Sequence, residues 1–220
     1  MKVNIFSTTI VQKVVVGLSG LLLCGFLIVH LLGNLLLYSR AGDYQAYNDY
    51  AHAIHANPLL PVAEIVLLIL FLAHVILTIA LVLRNRKARP QGYAVKRSKR
   101  GKSAVVAHNV MHWTGFVVLA FILLHLLDFR FGVRYADDPA MPRAHRALMV
   151  LHDPLSASLY TIGSLLLGYH LYHGINSAFE TLGAGNSRVT PYVRGLGATF
   201  ALIVAVGFAS FPIWVNVFLR

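Results

Sequence analysis

The sequence predicts an all-α integral membrane protein built as a bundle of five transmembrane helices. Of its 220 residues, 57% are hydrophobic and only 12% are charged, whereas about a quarter are charged in a typical soluble domain. The mean hydropathy is +0.67. Five apolar runs each reach the roughly 20 residues that a helix needs to cross a bilayer; they lie at about 12–37, 59–84, 104–128, 156–180 and 191–218.

These five runs, numbered spans 1 to 5, occupy most of the chain. We therefore expect a single membrane domain over residues 1–220 and no soluble catalytic domain. Span 1 is too long for the core of a signal peptide and lacks a small-residue cleavage site, so we expect it to be retained. The single cysteine, Cys24, lies within span 1. This excludes a disulfide framework and covalent haem attachment through a Cys-x-x-Cys-His motif.

The positive charges indicate the orientation in the membrane. Nine of the nineteen lysines and arginines lie between spans 2 and 3, in the stretch from Arg84 to Lys102. The positive-inside rule places this stretch and the N-terminus in the cytoplasm and the C-terminus outside. The formal net charge of +11 is better explained by this topology signal and a docking surface than by nucleic-acid binding. We expect a multi-pass protein of the inner (cytoplasmic) membrane.

The spans contain an unusual number of histidines: His30 in span 1, His74 in span 2, His125 in span 3, and His170 and His173 in span 4. An ionisable side chain inside the membrane is costly and usually faces a functional interior. A single one is adequately explained by a bond to a backbone carbonyl, but four helices each carrying one favour a shared function. Haem iron takes two axial imidazoles, so four helices predict two haems. Zinc or copper requires three or four ligands at one depth.

Depth sorts the histidines into two layers. At a rise of about 1.5 Å per residue, His30 and His125 lie near the outer ends of their spans. His74 and His173 lie roughly 10–15 Å from the cytoplasmic ends of theirs. An outer pair (His30 and His125) and an inner pair (His74 and His173), separated by roughly 13 Å along the membrane normal, predict two stacked bis-histidine haems.

Span 4 offers two ligands for the inner haem. His170 and His173 project about 60° apart on the helix, so either is placed to bind, but not both. Gly174 leaves room for a flat macrocycle beside His173 and favours it. His170 is the alternative ligand, with a structural or proton-conducting role if it does not bind iron.

Three stretches resemble a known family: SGLLLCGFLIVHLLGN (19–34), HLLDF (125–129) and YHGINSAFETLG (172–183). They are similar to the cytochrome b membrane anchor of succinate dehydrogenases and fumarate reductases, in its single-chain, five-span, dihaem form. The resemblance implies a subunit of a respiratory complex II enzyme that passes electrons through two haem b groups to or from menaquinone. Flavoprotein and iron–sulfur partner subunits, holding FAD and the clusters, would dock on the cytoplasmic side. In that family spans 1 and 3 hold the distal haem and spans 2 and 4 the proximal one.

The chain departs from that family at one position. Some members carry a glutamate two residues before the span 4 ligand and use it to move protons across the membrane. Here that position is Leu171. A proton path of that kind is therefore absent unless His170 replaces the glutamate.

Two further sets of side chains are candidates for the site. A menaquinol site near the distal haem would draw on groups able to exchange protons in the loop 38–58 and the start of span 2. These groups are Asp49, His52, His55 and Glu64. Each of them is also typical of a solvated loop or of a helix start.

Haem propionates require cationic or hydrogen-bonding partners. Lys13, His108, His112 and Trp113 lie near the inner haem by depth, and Asn34 and Arg40 near the outer haem. For Lys13 and Trp113, anchoring at the membrane interface is an equal alternative.

Three other functions remain open from the residues. A dihaem quinone-reactive subunit of a membrane hydrogenase or formate dehydrogenase shares the haem chemistry but has a different electron donor. A haem-free transporter or metal permease would use the intramembrane histidines at a substrate site. An anchor without redox chemistry would have little need for a complete set of four.

Overall fold

The chain is all-helical in the computed structural model, which describes residues 8–88, 102–134 and 141–219, with side chains of the second range described from Met111 onward. The described residues form seven α-helices and one short 3-10 turn, Leu36–Tyr38. The helices are α1 (Thr9–Leu35), α2 (Gln45–Ala56), α3 (Leu60–Ala88), α4 (Lys102–Phe129), α5 (Arg143–His152), α6 (Pro154–Thr181) and α7 (Thr190–Phe218). The predicted all-α class is confirmed. Most of the basic stretch, residues 89–101, lies outside the described part.

Among the residues that the structure describes, four helical segments are long and apolar enough to cross a membrane: Thr9–Tyr38, Leu60–Ala88, Met111–Phe129 and Thr190–Phe218. They correspond to predicted spans 1, 2, 3 and 5, and they make this a multi-pass protein of the lipid bilayer. Predicted span 4 corresponds to α6, whose 28 residues reach about 42 Å. Its serines, tyrosines and histidines lower its apolar character, so span 4 stays a prediction.

Two short helices lie in stretches predicted as loops. Helix α2, of 12 residues, lies between predicted spans 1 and 2, and α5, of 10 residues, lies between predicted spans 3 and 4. Both are too short and too polar to give the continuous apolar signal of a span. On α5, four residues at helical spacing are buried: Ala144, Ala147, Val150 and Leu151. They pack the helix against α6 and α7, and we call this end of the bundle the α2–α5 end.

Helix α6 lies at the centre of the bundle, because it packs on α1, α4, α5 and α7, whereas α3 packs on α1. Helix α6 begins at Pro154, two residues after α5 ends at His152. The Asp153 carboxylate accepts a hydrogen bond from the Ser156 backbone N–H at 2.8 Å, and Pro154 occupies the first helical position, where its missing N–H costs nothing. This capping fixes the start of α6 at the α2–α5 end.

Gly168 allows α6 and α7 to approach closely. A Cβ at this position would lie 2.9 Å from the Ala201 carbonyl oxygen and closer still to the Ala205 side chain. At Gly174, on the same helix, a Cβ would meet nothing within 4 Å. We therefore expect Gly168→Ala to lower the free energy of unfolding by about 1–3 kcal/mol through overpacking. Gly174→Ala should raise it by up to about 1 kcal/mol through helix propensity.

Thermal unfolding of the two variants in one detergent measures this difference. Because both substitutions add the same methyl group to the same helix, Gly174→Ala controls for the general effect of the substitution. A Gly168→Ala variant as stable as the parent would show that the α6–α7 approach is looser than the structure describes.

Candidate functional site

The outer pair of histidines lies in contact. The rings of His30, on α1, and His125, on α4, have centroids 5.7 Å apart and planes at 87°. Asn34 donates a 2.7 Å hydrogen bond to the His30 carbonyl, one turn back, and its amide nitrogen lies 3.5 Å from His30 Nε2. Four aromatic rings enclose the pair at centroid distances of 5.0–6.1 Å: Phe26 and Phe208 beside His30, and Phe129 and Tyr160 beside His125.

The spacing of the outer pair fits two ligands on one metal. A metal–imidazole nitrogen bond is about 2 Å long, so two imidazoles that held one metal ion would have ring centroids no more than about 6 Å apart. The observed 5.7 Å meets that condition. The aromatic enclosure also suits a flat apolar macrocycle, which would contact the same ring faces.

His74, on α3, packs against α1. Its Nδ1 lies 3.1 Å from the Val16 carbonyl oxygen and 3.5 Å from the Ser19 hydroxyl. A Cβ on Gly20 would lie only 3.1 Å from His74 Cε1, so glycine makes room for the ring. With Nδ1–H donating to a backbone carbonyl, the lone pair is at Nε2. Metal-bound histidines are oriented in this way.

His170, on α6, meets α4 in the same manner. Its Nδ1 lies 3.4 Å from the hydroxyl of the buried Thr114. A Cβ on Gly115 would lie 3.5 Å from His170 Cε1. The ring is also close enough to His74 for the two side chains to interact electrostatically. His74 and His170 therefore approach the same region of the bundle from two helices.

A repeated sequence pattern underlies this arrangement. Ser19-Gly20 on α1 precedes His30 by 11 and 10 residues, and Thr114-Gly115 on α4 precedes His125 by the same intervals. In each case a neighbouring long helix places a histidine against this pair. Helix α3 places His74 against Ser19 and Gly20, and α6 places His170 against Thr114 and Gly115. Ten helical residues correspond to about 15 Å, so the inner histidines are expected about that far from the outer pair, close to the roughly 13 Å estimated from the spans. The Thr-Gly pair was visible in the sequence but was not used there.

His173 has different surroundings. Its ring makes edge contacts with Tyr169 and Tyr172 of its own helix, at centroid distances of 4.6 and 4.9 Å, and it is less deeply buried than His170. Its Nε2 is buried and has no hydrogen-bond partner among the described residues. The choice between His173 and the alternative ligand, His170, stays a prediction: His170 packs against α4 near His74, and His173 carries the buried nitrogen without a partner.

A buried ionic network adjoins the outer pair, and the sequence analysis missed it. The Asp128 carboxylate, 1% exposed, accepts hydrogen bonds from both ends of the Arg134 guanidinium and from the Tyr160 hydroxyl at 2.6 Å. Arg134 also donates to the Ser156 hydroxyl at 3.3 Å. Asp128 follows His125 by three residues, and Tyr160 contacts the His125 ring. The only sequence signal was the aspartate of HLLDF.

The residues predicted for the quinone site lie on two helices. Asp49, His52 and His55 lie on α2 and Glu64 lies on α3, and all four are exposed. His55 donates to the Ala51 carbonyl of its own helix at 2.7 Å. Glu64 accepts a 3.1 Å hydrogen bond from Arg130. Among the described residues no contact joins the four side chains.

The residues predicted to hold propionates are dispersed. Lys13 and Trp113 are exposed, and His112, on α4, is partly buried. The side chain of His108 lies outside the described part, and Arg40 lines a cavity at the α2–α5 end. Within the described side chains, no three histidines, cysteines or carboxylates converge as a metal site.

Comparison of the chain with protein-family models, with curated proteins and with solved structures finds no match.

Proposed function

We propose that this chain is a dihaem cytochrome b that carries electrons through the membrane between partner subunits and menaquinone. The observation that carries the proposal is the arrangement of histidines from four helices in two layers about 15 Å apart. A bound haem b supplies reversible one-electron transfer, and such a short separation suits transfer between two haems. The family resemblance specifies the enzyme: the anchor subunit of a succinate:quinone oxidoreductase, either succinate dehydrogenase or fumarate reductase.

The chain's own side chains would hold and orient the two cofactors. His30 and His125 are the proposed ligands of the outer haem. His74 and His170 are the proposed ligands of the inner haem, and His173 is the other candidate there. The hydrogen bond from His74 Nδ1 to the Val16 carbonyl fixes the ring and directs Nε2 away from α1. The apolar surroundings of both layers exclude water. This lowers the reorganisation energy of electron transfer.

The remaining parts of the proposal concern the membrane and the partner subunits. We propose that α6 also crosses the membrane, as span 4, with its polar side turned toward the bundle interior, which is how intramembrane polar groups are usually accommodated. The basic stretch of residues 84–102 would face the cytoplasm and dock the flavoprotein and iron–sulfur subunits. With a single cysteine in the chain, the iron–sulfur clusters must be held by a partner, as must FAD.

A reduced-minus-oxidised spectrum with pyridine haemochrome quantitation on the purified full chain tests the proposal. The expected result is two b-type haems per chain. Absence of haem from protein produced in haem-replete cells would overturn the electron-transfer function and favour a transporter. Co-purification from native membranes identifies the partner: a flavoprotein and an iron–sulfur protein with succinate dehydrogenase activity support the anchor function, whereas a hydrogenase or formate dehydrogenase replaces it.

A further inference from the structure

A cavity of 520 Å³ lies at the α2–α5 end, away from both histidine layers. Its lining includes apolar side chains at and just after the end of α7: Val215, Phe218 and Leu219. It also includes three nitrogen-bearing side chains, Arg40, His145 and His152. The cavity thus combines apolar side chains with one arginine and two histidines.

The three side chains make few hydrogen bonds or ion pairs within the described part of the protein. Arg40 and His152 are exposed and make no hydrogen bond or ion pair with any described residue. His145 Nε2 lies 3.4 Å from the Asp43 carboxylate, while its buried Nδ1 has no hydrogen-bond partner among the described residues. Asp43 is 72% exposed, so its charge is well solvated. A ligand that accepts hydrogen bonds would satisfy these groups.

The turn beside the cavity is held in a costly conformation. Gly42, Asp43 and Tyr44 have φ angles of 58°, 56° and 63°, in the left-handed region that is unfavourable by about 1–2 kcal/mol for a side chain such as that of tyrosine. Burial of Tyr44, whose ring meets His145 at 6.0 Å, maintains it. Strain of this kind is typically retained where the backbone forms part of a binding site.

The position of the cavity in the membrane restricts the ligand. Helix α7 is a membrane-spanning candidate that ends at Phe218, so the cavity lies at the level where hydrocarbon gives way to headgroups. Trp214 lies one turn before the end of α7, at a depth where tryptophan is enriched. A ligand there would place an apolar portion along α7 and an anionic portion beside Arg40 and His152.

We propose that this cavity binds an anionic phospholipid of the phosphatidylglycerol class. The phosphate accepts charge-assisted hydrogen bonds from Arg40 and His152. The acyl chain lies along Val215, Phe218 and Leu219. The lipid joins α5 and the Arg40 turn to the end of α7 and stabilises the α2–α5 end. Haem content plays no part in this binding.

Binding to the full chain in a neutral detergent tests the proposal, with native mass spectrometry to measure occupancy. The probes are dioctanoyl phosphatidylglycerol, dioctanoylglycerol without the phosphate, and glycerol 3-phosphate without the chains. Phosphatidylglycerol should bind at least about tenfold more tightly than dioctanoylglycerol, which lacks the hydrogen bonds to the phosphate, and than glycerol 3-phosphate, which lacks the apolar contacts. Arg40→Gln should weaken binding about tenfold, while Arg188→Gln, an exposed arginine before α7, should leave it within twofold.

Each alternative ligand has its own outcome. Equal binding of glycerol 3-phosphate would assign a free phosphate ligand, and equal binding of dioctanoylglycerol would assign a purely apolar groove; either overturns the proposal. Displacement of the lipid by a short-chain menaquinone at equal affinity would assign the cavity to the quinone. If Arg40→Gln lowers the melting temperature, His152→Gln provides the second test, and undiminished binding by that variant contradicts the proposed site.

Discussion

The His170→Ala variant is expected to retain one b-type haem per chain, and the His173→Ala variant is expected to retain two. His170 packs against Thr114 and Gly115 of α4 as His74 packs against α1. Loss of this ring removes one axial ligand from the inner layer and leaves the outer pair intact. His173, which contacts only tyrosines of its own helix among the ring contacts described, is not placed in the same way. Pyridine haemochrome quantitation on matched preparations measures the difference.

The retained outer haem serves as the internal control. A misfolded bundle would lose both haems, whereas selective loss of one shows that His30 and His125 still bind. His74→Ala should give the same single-haem product as His170→Ala. Thr114→Val keeps the ligand but removes its hydroxyl partner, and should weaken inner haem binding by about 10- to 100-fold. Loss of haem from His173→Ala with full retention in His170→Ala would restore the ligand favoured by the sequence.

The spans could be predicted because the membrane makes composition the dominant signal. Apolar runs of the required length predicted 12–37 and 191–218, and the structure has helices at Thr9–Leu35 and Thr190–Phe218. The short helices α2 and α5 could not be found in that way. Their formation depends on packing of a narrow apolar face against other helices, which gives no continuous hydrophobic run.

Counting residues along each span predicted how deep each histidine lies in the membrane, but not toward which neighbouring helix its side chain points. At a fixed rise per residue, His30 and His125 were expected at one level, and their rings lie in contact. His170 and His173 differ by less than one turn, so depth does not separate them, and which side of α6 faces the interior is decided by packing with α4 and α7. The Asp128–Arg134 pair depends on how the chain turns after α4, which the sequence pattern does not determine.

The Asp128→Asn variant should be destabilised by about 3–5 kcal/mol, because removing one partner of a buried ion pair leaves the other charge uncompensated. Asp128 is fully buried, and the Arg134 side chain is 29% exposed, so the lower end of that range is expected. The matched control is Glu64→Gln. Its partner, Arg130, directly follows the same helix, α4. The Glu64 and Arg130 side chains are about half exposed, at 42% and 54%, and such a pair contributes at most about 1 kcal/mol.

Denaturant titration of the full chain in detergent, followed by tryptophan fluorescence, measures both variants. Tyr160→Phe removes one hydrogen bond to the same carboxylate and should cost about 1.5–3 kcal/mol. In the Asp128→Asn variant, adding Tyr160→Phe should cost well below about 1.5–3 kcal/mol, because the negative charge that accepted the tyrosine hydrogen bond is gone. Additive losses from the two substitutions would contradict a shared network. Equal losses from Asp128→Asn and Glu64→Gln would show that burial does not distinguish these ion pairs, and that the end of α4 is held by its apolar contacts instead.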